Sequence, residues 1–228
     1  MLASHYGEFA ALLTAVFWTI TAIAFEGATV RVGTYSVNLI RLVLGFIFLT
    51  AMAWFNRGIL FPVDATQEAW FWLILSGVIG FVLGDLFLFA SYPIIGSRIA
   101  MLIMTLAPPF AAILSWAILG ETMGLLSILG MMLVIGGISI AIWSKPNGEK
   151  KMKLNFSAKG LLFALLGTVG QAVGLVLSKL GMGEYNAFAA TQIRIIAGIV
   201  GFIILITLLK RWKNVGKALL NKKAMTGI

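Results

Sequence analysis

Seven apolar runs, each long enough to cross a lipid bilayer, constrain the fold of this chain more than any other feature. A helix needs about 20 residues to cross about 30 Å of hydrocarbon. Because 61% of the residues are hydrophobic and only 11% are charged, too little polar surface remains to cover a water-soluble globule. The sequence therefore predicts an all-α integral membrane protein with about seven transmembrane helices. The runs cover 8–27, 33–55, 69–90, 97–119, 124–143, 158–180 and 186–209 of the 228 residues.

The composition also excludes several classes of function. The absence of cysteine rules out disulfides, thiolate metal sites and thiol catalysis. His5 is the single histidine, so no second imidazole is available to bind zinc. We therefore expect no enzyme activity, no metal site and no cofactor. The net charge of +9 does not indicate a nucleic-acid partner, because most Lys and Arg residues lie in short gaps between apolar runs, where they act as topology signals.

Lysine and arginine residues are distributed unequally between the two predicted sides of the membrane. One side carries only Arg57 and Lys179. Cytoplasmic loops are enriched in Lys and Arg, so we predict a multi-pass protein of the cell membrane with a cytoplasmic 144–157 linker, a cytoplasmic C-terminal tail and an external N-terminus. For the basic tail, residues 210–228, we favour a solvated end over an interfacial helix. The richer side has thirteen basic residues: Arg31, Arg98, five lysines from Lys145 to Lys159, and six residues from Lys210 to Lys223.

An internal repeat appears when the sequence is shifted by 153 positions, which aligns residues 7–50 with residues 160–203 without a gap. Eight positions are identical. The pair Arg41 and Arg194 is the most informative of them, because a charge inside a membrane helix costs at least about 2.5 kcal/mol on insertion scales.

The offset predicts the organisation of the chain. A first five-helix repeat would cover 7–143, the charged linker 144–157, and the first two helices of a second repeat 158–209. Because five is an odd number, the second copy would enter the membrane inverted, as in many secondary transporters. A duplicated scaffold without transport activity is the alternative. The second copy is incomplete, so we expect either a fragment or a partner, such as a homodimer or another chain, that supplies the missing helices.

The stretch 84–137 carries the residues of a family resemblance. It contains a third helix rich in small residues, a fourth helix with a mid-span proline, the turn Gly120-Glu121 and a fifth helix with spaced glycines. Together with Arg41 and Arg194, this pattern resembles the EamA-like type of the drug/metabolite transporter superfamily. The resemblance implies a ten-helix, two-repeat carrier that exports amino acids, metabolites or drugs. The present chain would be truncated after the seventh helix of that pattern.

Arg41 and Arg194 are the main candidates for substrate binding. Arg41 lies eight residues into its predicted span, within about 5 Å of the midplane. Two guanidinium groups facing one cavity would favour carboxylates, phosphates or zwitterions. The alternatives are a structural ion pair with Asp85, which is the one acidic residue deep in a span, and snorkelling of the arginines to the interface. Asp85 is either a proton-coupling site or a static partner of arginine.

Other candidates follow from helical spacing and from the repeat. Asn38 and Thr191 share the helix faces of the two arginines. Trp18 and Gln171 are repeat mates that are expected to line the cavity, although Trp18 could equally face lipid. Pro108 and Pro109 would break the fourth helix and free carbonyls toward a cavity, or only kink it. The triplets Gly77, Gly80, Gly84 and Gly167, Gly170, Gly174 indicate close helix packing.

We therefore predict a secondary transporter of small polar metabolites, which are amino-acid-like or otherwise anionic or zwitterionic, with drugs as a further class. Efflux is the expected direction. The expected partners are a small-molecule substrate and the lipid bilayer. The alternative function is a non-transporting membrane subunit or sensor, which the truncation and the basic tail support.

Overall fold

A computed structural model describes residues 6–143 and 157–228, and in these ranges the regular structure is helical, without strands. His5 and the lysines Lys145, Lys150, Lys151 and Lys153 of the predicted linker lie outside the described residues. The helices are α1 (Tyr6–Val32), α2 (Thr34–Arg57), α3 (Gln67–Gly77), a π-helical segment (Val78–Gly84), α4 (Asp85–Met104), α5 (Ala107–Leu119), α6 (Leu125–Trp143), α7 (Ala158–Met182), α8 (Ala187–Leu208), α9 (Trp212–Leu220) and α10 (Lys222–Met225).

Five of the described helical stretches are long and apolar enough to cross a membrane, and two further apolar helices are shorter. The prediction of an all-α integral membrane protein is therefore confirmed. The long stretches are Leu12–Val32, Thr34–Arg57, Gln67–Met104, Ala158–Met182 and Ala187–Leu208, and the shorter ones are Ala107–Leu119 and Leu125–Gly137.

The junction between the third and fourth predicted spans differs from the expected loop. The chain stays helical from Gln67 to Met104, and the interruption at this junction is Gly96, with φ 77° and ψ 155°. This positive φ suits glycine, which has no Cβ. Ser97 restarts the helix, and its backbone N–H and its hydroxyl both donate to the Glu26 carboxylate on α1. Glu26 thus caps a helix start that would otherwise have an unsatisfied donor.

The fourth predicted span is divided in the structure. Helix α4 ends at Met104, and α5 begins at Ala107. Pro108 and Pro109 lie in the first turn of α5, where proline removes no helical hydrogen bond. The prolines therefore start a helix here, and they do not interrupt the interior of an intact one. Pro109 is buried, whereas Pro108 is exposed.

Helix α7 lies at the centre of the packing, against α3, the π segment, α4 and α5. Its contact with the π segment is a glycine seam. A Cβ added to Gly170 would lie 2.8 Å from the Cα of Gly84, and one added to Gly174 would lie 2.8 Å from the Cα of Gly80. The Ser76 hydroxyl donates to the Gly174 carbonyl across the same contact at 2.6 Å. The predicted close packing of the glycine triplets is confirmed.

The C-terminal tail is helical and docks on the bundle by one face, while most of its residues are exposed. Its helices α9 and α10 pack against α1 and α2. Val215 of α9 is buried with Leu39 and Leu42 of α2, and Ala224 of α10 is fully buried. Apolar residues spaced three apart in α9 (Val215 and Ala218) give the helix a face that is removed from solvent by docking on the bundle.

Candidate functional site

Asp85 lies where the π segment meets α4, and it joins three helices. Its carboxylate accepts hydrogen bonds from Arg41 Nη2 on α2 and from Gln171 Nε2 on α7, the latter at 2.6 Å. Gln171 Nε2 also lies 3.2 Å from the Gly80 carbonyl within the π segment. Only 4% of Asp85 is exposed. π-helical turns are rare and occur often at functional sites, and this one sets the position of the Asp85 carboxylate.

Arg41 is fully engaged by its neighbours. In addition to its ion pair with Asp85, its Nε donates to Asn38 Oδ1 at 3.2 Å. Asn38 is itself fixed, because its Nδ2 donates to the Thr34 carbonyl. The guanidinium lies over the ring of Phe89, 5.0 Å from the centroid, and 5.9 Å from that of Phe25. The charge is therefore compensated by an anion and by two aromatic faces.

Arg194 has a different environment on α8. Its guanidinium lies 4.7 Å above the Phe81 ring centroid. Its Nε is buried and has no hydrogen-bond partner among the described residues. The charges of Arg194 and Asp85 interact without a hydrogen bond or a salt bridge between the two side chains. The cluster therefore contains two cations and one carboxylate, which leaves one positive charge uncompensated.

The structure brings some of the predicted site residues together and leaves others apart. Arg41, Asn38, Asp85 and Gln171 are joined by hydrogen bonds, and Arg194 lies within electrostatic reach of them. Trp18 is 52% exposed on α1. Thr191 donates to the Ala187 carbonyl of its own helix. Within the described residues, no hydrogen bond or ring contact joins either side chain to the cluster.

Sequence reasoning missed the aromatic residues of the site. Phe89 follows Asp85 by four positions and therefore shares its helix face. Phe81 precedes Asp85 by four positions, and the two phenylalanines lie over different arginines. The spacing of Phe81, Asp85 and Phe89 was a signal for this arrangement, but apolar residues at that spacing are common in membrane helices.

A second polar cluster lies beyond the far end of α2. Asp64, in the loop after α2, pairs with Arg57 and accepts a hydrogen bond from the Tyr185 hydroxyl at 2.8 Å. The Tyr185 hydrogen bond, together with the Arg57 charge, holds the pKa of Asp64 below its usual value. Partial burial and the bond to Asp64 raise the pKa of Tyr185. The cluster borders a cavity of about 340 Å³ and joins the α2–α3 loop to the α7–α8 loop.

In the part of the chain that the structure describes, no three or more His, Cys, Asp or Glu residues lie close enough together to hold a metal ion. Around Asp85, the guanidinium groups of Arg41 and Arg194 are hydrogen-bond donors, and the aromatic rings beside them reduce their contact with water.

The comparison with protein families gives one match. The sequence matches the EamA-like transporter family over residues 5–143, a range that contains Arg41, Asp85 and the proline pair. No curated protein matches the sequence significantly. The match covers more than half of the chain, and the family is one of membrane transporters. This chain therefore belongs to the EamA-like transporter family.

Proposed function

We propose that this chain is a secondary transporter for small solutes that carry one negatively charged group, with carboxylates and zwitterions such as amino acids foremost. The observation that carries the proposal is the uncompensated positive charge of the cluster formed by Arg41, Asp85 and Arg194. The carboxylate of an anion or of a zwitterion would pair with this positive charge, whereas a solute without a negatively charged group would leave it unpaired.

The energetics favour such a ligand. A charge deep in a membrane span costs at least about 2.5 kcal/mol, so a ligand that compensates Arg194 recovers a substantial free energy. A carboxylate also matches the planar fork of a guanidinium. Phe81, which covers one face of the Arg194 guanidinium, excludes water from that side and strengthens the electrostatic attraction.

We assign Asp85 the role of coupling group. Its carboxylate occupies Arg41, and a substrate carboxylate would compete with it for the same guanidinium. Protonation of Asp85 would release Arg41 while Gln171 keeps the side chain in place. Binding of the substrate carboxylate at Arg194, with the released Arg41 as a second donor, would then be accompanied by uptake of one proton, which is a form of proton coupling.

The experiment is a comparison of matched ligands on the purified chain. Thermal unfolding in detergent is followed with leucine, hexanoate and their amides, leucinamide and hexanamide. We expect the carboxylates to raise the Tm and the amides to leave it unchanged. Arg194→Gln should abolish the shift, and Arg194→Lys should weaken binding at least tenfold, because an ammonium lacks the fork. Arg57→Gln, at the far end of α2, is the control and should bind as the unmodified chain does.

Two results would overturn the proposal: equal stabilisation by the amides, or an undiminished carboxylate shift in Arg194→Gln.

Transport itself is tested in vesicles by counterflow of labelled leucine, with Asp85→Asn expected to remove the dependence on external pH. Export, the direction that we propose from the family resemblance, predicts accumulation in inside-out vesicles and none in right-side-out vesicles.

We also propose that the tail lies on the cytoplasmic side of the cell membrane. The support is the excess of basic residues on that side and the position of Tyr35, at the start of α2, beside Arg211. Because the chain has no cysteine, single substitutions Val63→Cys and Gly216→Cys report on the two ends of α2. An impermeant thiol reagent should label Val63→Cys in intact cells, and Gly216→Cys only after lysis. The reverse pattern would invert the orientation.

A further inference from the structure

Helix α9 and its flanks form a basic surface without compensating acids. No acidic residue follows Glu184 in the sequence. All the basic residues of this segment are exposed, and no salt bridge among the described residues involves any of them. The surface therefore carries a charge of +6 that no salt bridge among the described residues neutralises. Its residues are Lys210, Arg211, Lys213, Lys217, Lys222 and Lys223.

A tight turn places this surface directly at the end of a membrane span. After α8, Arg211 N–H donates to the Ile206 carbonyl at 2.9 Å, and Lys210 N–H donates to the Thr207 carbonyl at 3.1 Å. Lys210 has φ 54°, in the left-handed region that usually takes glycine at this position. Helix α9 begins at Trp212, four residues after α8 ends, and so follows directly after a helix long and apolar enough to cross a membrane.

The faces of α9 are sorted as an interfacial helix requires. Val215 and Ala218 are buried against the bundle. Trp212 and Leu219, seven residues apart, form an exposed apolar edge next to that face. Lys213 and Lys217 are exposed on the opposite side, where Leu220 is also exposed, seven residues after Lys213. An exposed tryptophan and leucine beside two lysines match the depth profile of the interface, with acyl chains on one side and headgroups on the other.

We propose that α9 and its flanking lysines bind anionic phospholipid headgroups, and that this contact anchors the tail against α1 and α2. Lys213 and Lys217 contact the lipid phosphates, while Trp212 and Leu219 enter the acyl region. Six unpaired positive charges in one short segment favour lipids with net negative charge over zwitterionic lipids, whose headgroups carry their own ammonium. The inference does not depend on the substrate that the Arg41 cluster binds.

The test uses the full chain in detergent, titrated with phosphatidylglycerol or phosphatidylcholine. Bound lipid is counted by native mass spectrometry, and Tm is measured in parallel. We expect preferential binding of phosphatidylglycerol that weakens in high salt. Each lysine near an anionic surface contributes about 1 kcal/mol, so Lys213→Gln with Lys217→Gln should weaken this binding about 30-fold in low salt. Inorganic phosphate should give no shift in Tm, because it cannot engage the apolar edge.

Two variants make the result specific. Lys213→Arg with Lys217→Arg keeps the charges and should bind like the unmodified chain, which separates a loss of charge from a folding defect. Arg98→Gln with Lys159→Gln removes two exposed charges elsewhere and should bind normally. Equal affinity for the two lipids, or an equal loss in the Arg98 and Lys159 control, would overturn the proposal.

Discussion

Arg41 and Arg194 occupy corresponding positions of the internal repeat, yet the structure gives them different partners. Arg41 on α2 has a carboxylate, an amide and two aromatic rings around its guanidinium. Arg194 on α8 has one ring and a buried Nε that finds no hydrogen-bond partner in the described ranges 6–143 and 157–228. The tightness of packing near the two arginines differs as well. A Cβ on Gly77 would lie 2.3 Å from the Arg194 carbonyl oxygen, whereas one on Gly45 would meet only Ile195, at 3.7 Å.

This difference is the reason for proposing different roles for two arginines that occupy equivalent positions in the sequence repeat. The single carboxylate of the cluster is committed to Arg41, so Arg41 contributes to the packing of α2 on α4. Arg194 lies where α8 packs tightly on α3, and no acidic side chain among the described residues forms an ion pair with it or accepts a hydrogen bond from it. An uncompensated charge held rigidly in a span is the property expected of a ligand-binding group.

The largest expected effect comes from Asp85→Asn. This change leaves a buried Arg41 without its counter-charge and should cost about 3–5 kcal/mol of unfolding free energy, measured by SDS titration. Arg41→Gln combined with Asp85→Asn should restore most of the loss. Arg194→Gln combined with Asp85→Asn should restore much less, because Arg194 does not hydrogen-bond Asp85. Equal recovery in the two double variants would abolish the proposed distinction.

A smaller effect should follow from Gly77→Ala. The added methyl group would collide with the backbone of α8 at Arg194, and backbone cannot rotate away as a side chain can. We expect a loss of about 1–3 kcal/mol in the same titration, as for other overpacked contacts. If the site proposal holds, carboxylate binding should fall together with stability. A variant of full stability would show that α3 and α8 can separate without cost.

The repeat mates Gly45 and Gly198 give a matched pair of substitutions. Each lies one turn after its arginine, and alanine there gains about 0.5–1 kcal/mol of helix propensity over glycine. Gly45→Ala should therefore be neutral or stabilising. Gly198→Ala should be destabilising, because its Cβ would lie 3.1 Å from Leu42 and 3.2 Å from Phe81. The free energies of unfolding of the two variants are compared directly. A Gly198→Ala variant that is more stable than Gly45→Ala would contradict tighter packing around Arg194.

The smallest effect is expected at the ion pair between Arg57, at the end of α2, and Asp64, whose side chain is 41% exposed in the following loop. The folded-state pKa of Asp64 is lowered, so its stabilising contribution is present above the ordinary carboxyl pKa of 3.8 and is lost as the pH falls through the lowered value. Asp64→Asn should remove this acid-dependent part of stability. At neutral pH it should cost less than about 1 kcal/mol, as exposed pairs do. Tyr185→Phe should act in the same direction, since its hydroxyl donates to Asp64.

Several features of the fold were predictable from local sequence. The apolar runs predicted membrane helices, and the glycine triplets predicted close helix packing, although not which helices would meet. The π segment was not predictable, because a wide helical turn requires tertiary contacts such as the Gln171 bond to Gly80. The continuous helix up to Gly96 was missed for a similar reason. The carboxylate that caps the helix restart at Ser97, Glu26, comes from another helix, 71 residues away in sequence.

The site was predictable only as a set of residues. Polar and charged side chains inside apolar runs stood out because burying them in lipid is costly, and this singled out Arg41, Arg194, Asp85 and Gln171. The sequence argument did not distinguish Trp18 and Thr191 from the residues of the cluster. Among the described residues, no hydrogen bond or ring contact joins either side chain to it. A residue on the correct helix face can still point to lipid or bond to its own backbone.

The sequence by itself determined that this chain lies in a membrane, since the transfer of apolar residues into lipid is a local free energy that adds along each run. It also determined which charges must find partners there. Only the tertiary structure decided that Asp85 pairs with Arg41 and not with Arg194. That choice depends on differences of a few ångströms between helices, which are set by the glycine seam and the π segment, and no local pattern around either arginine contains that information.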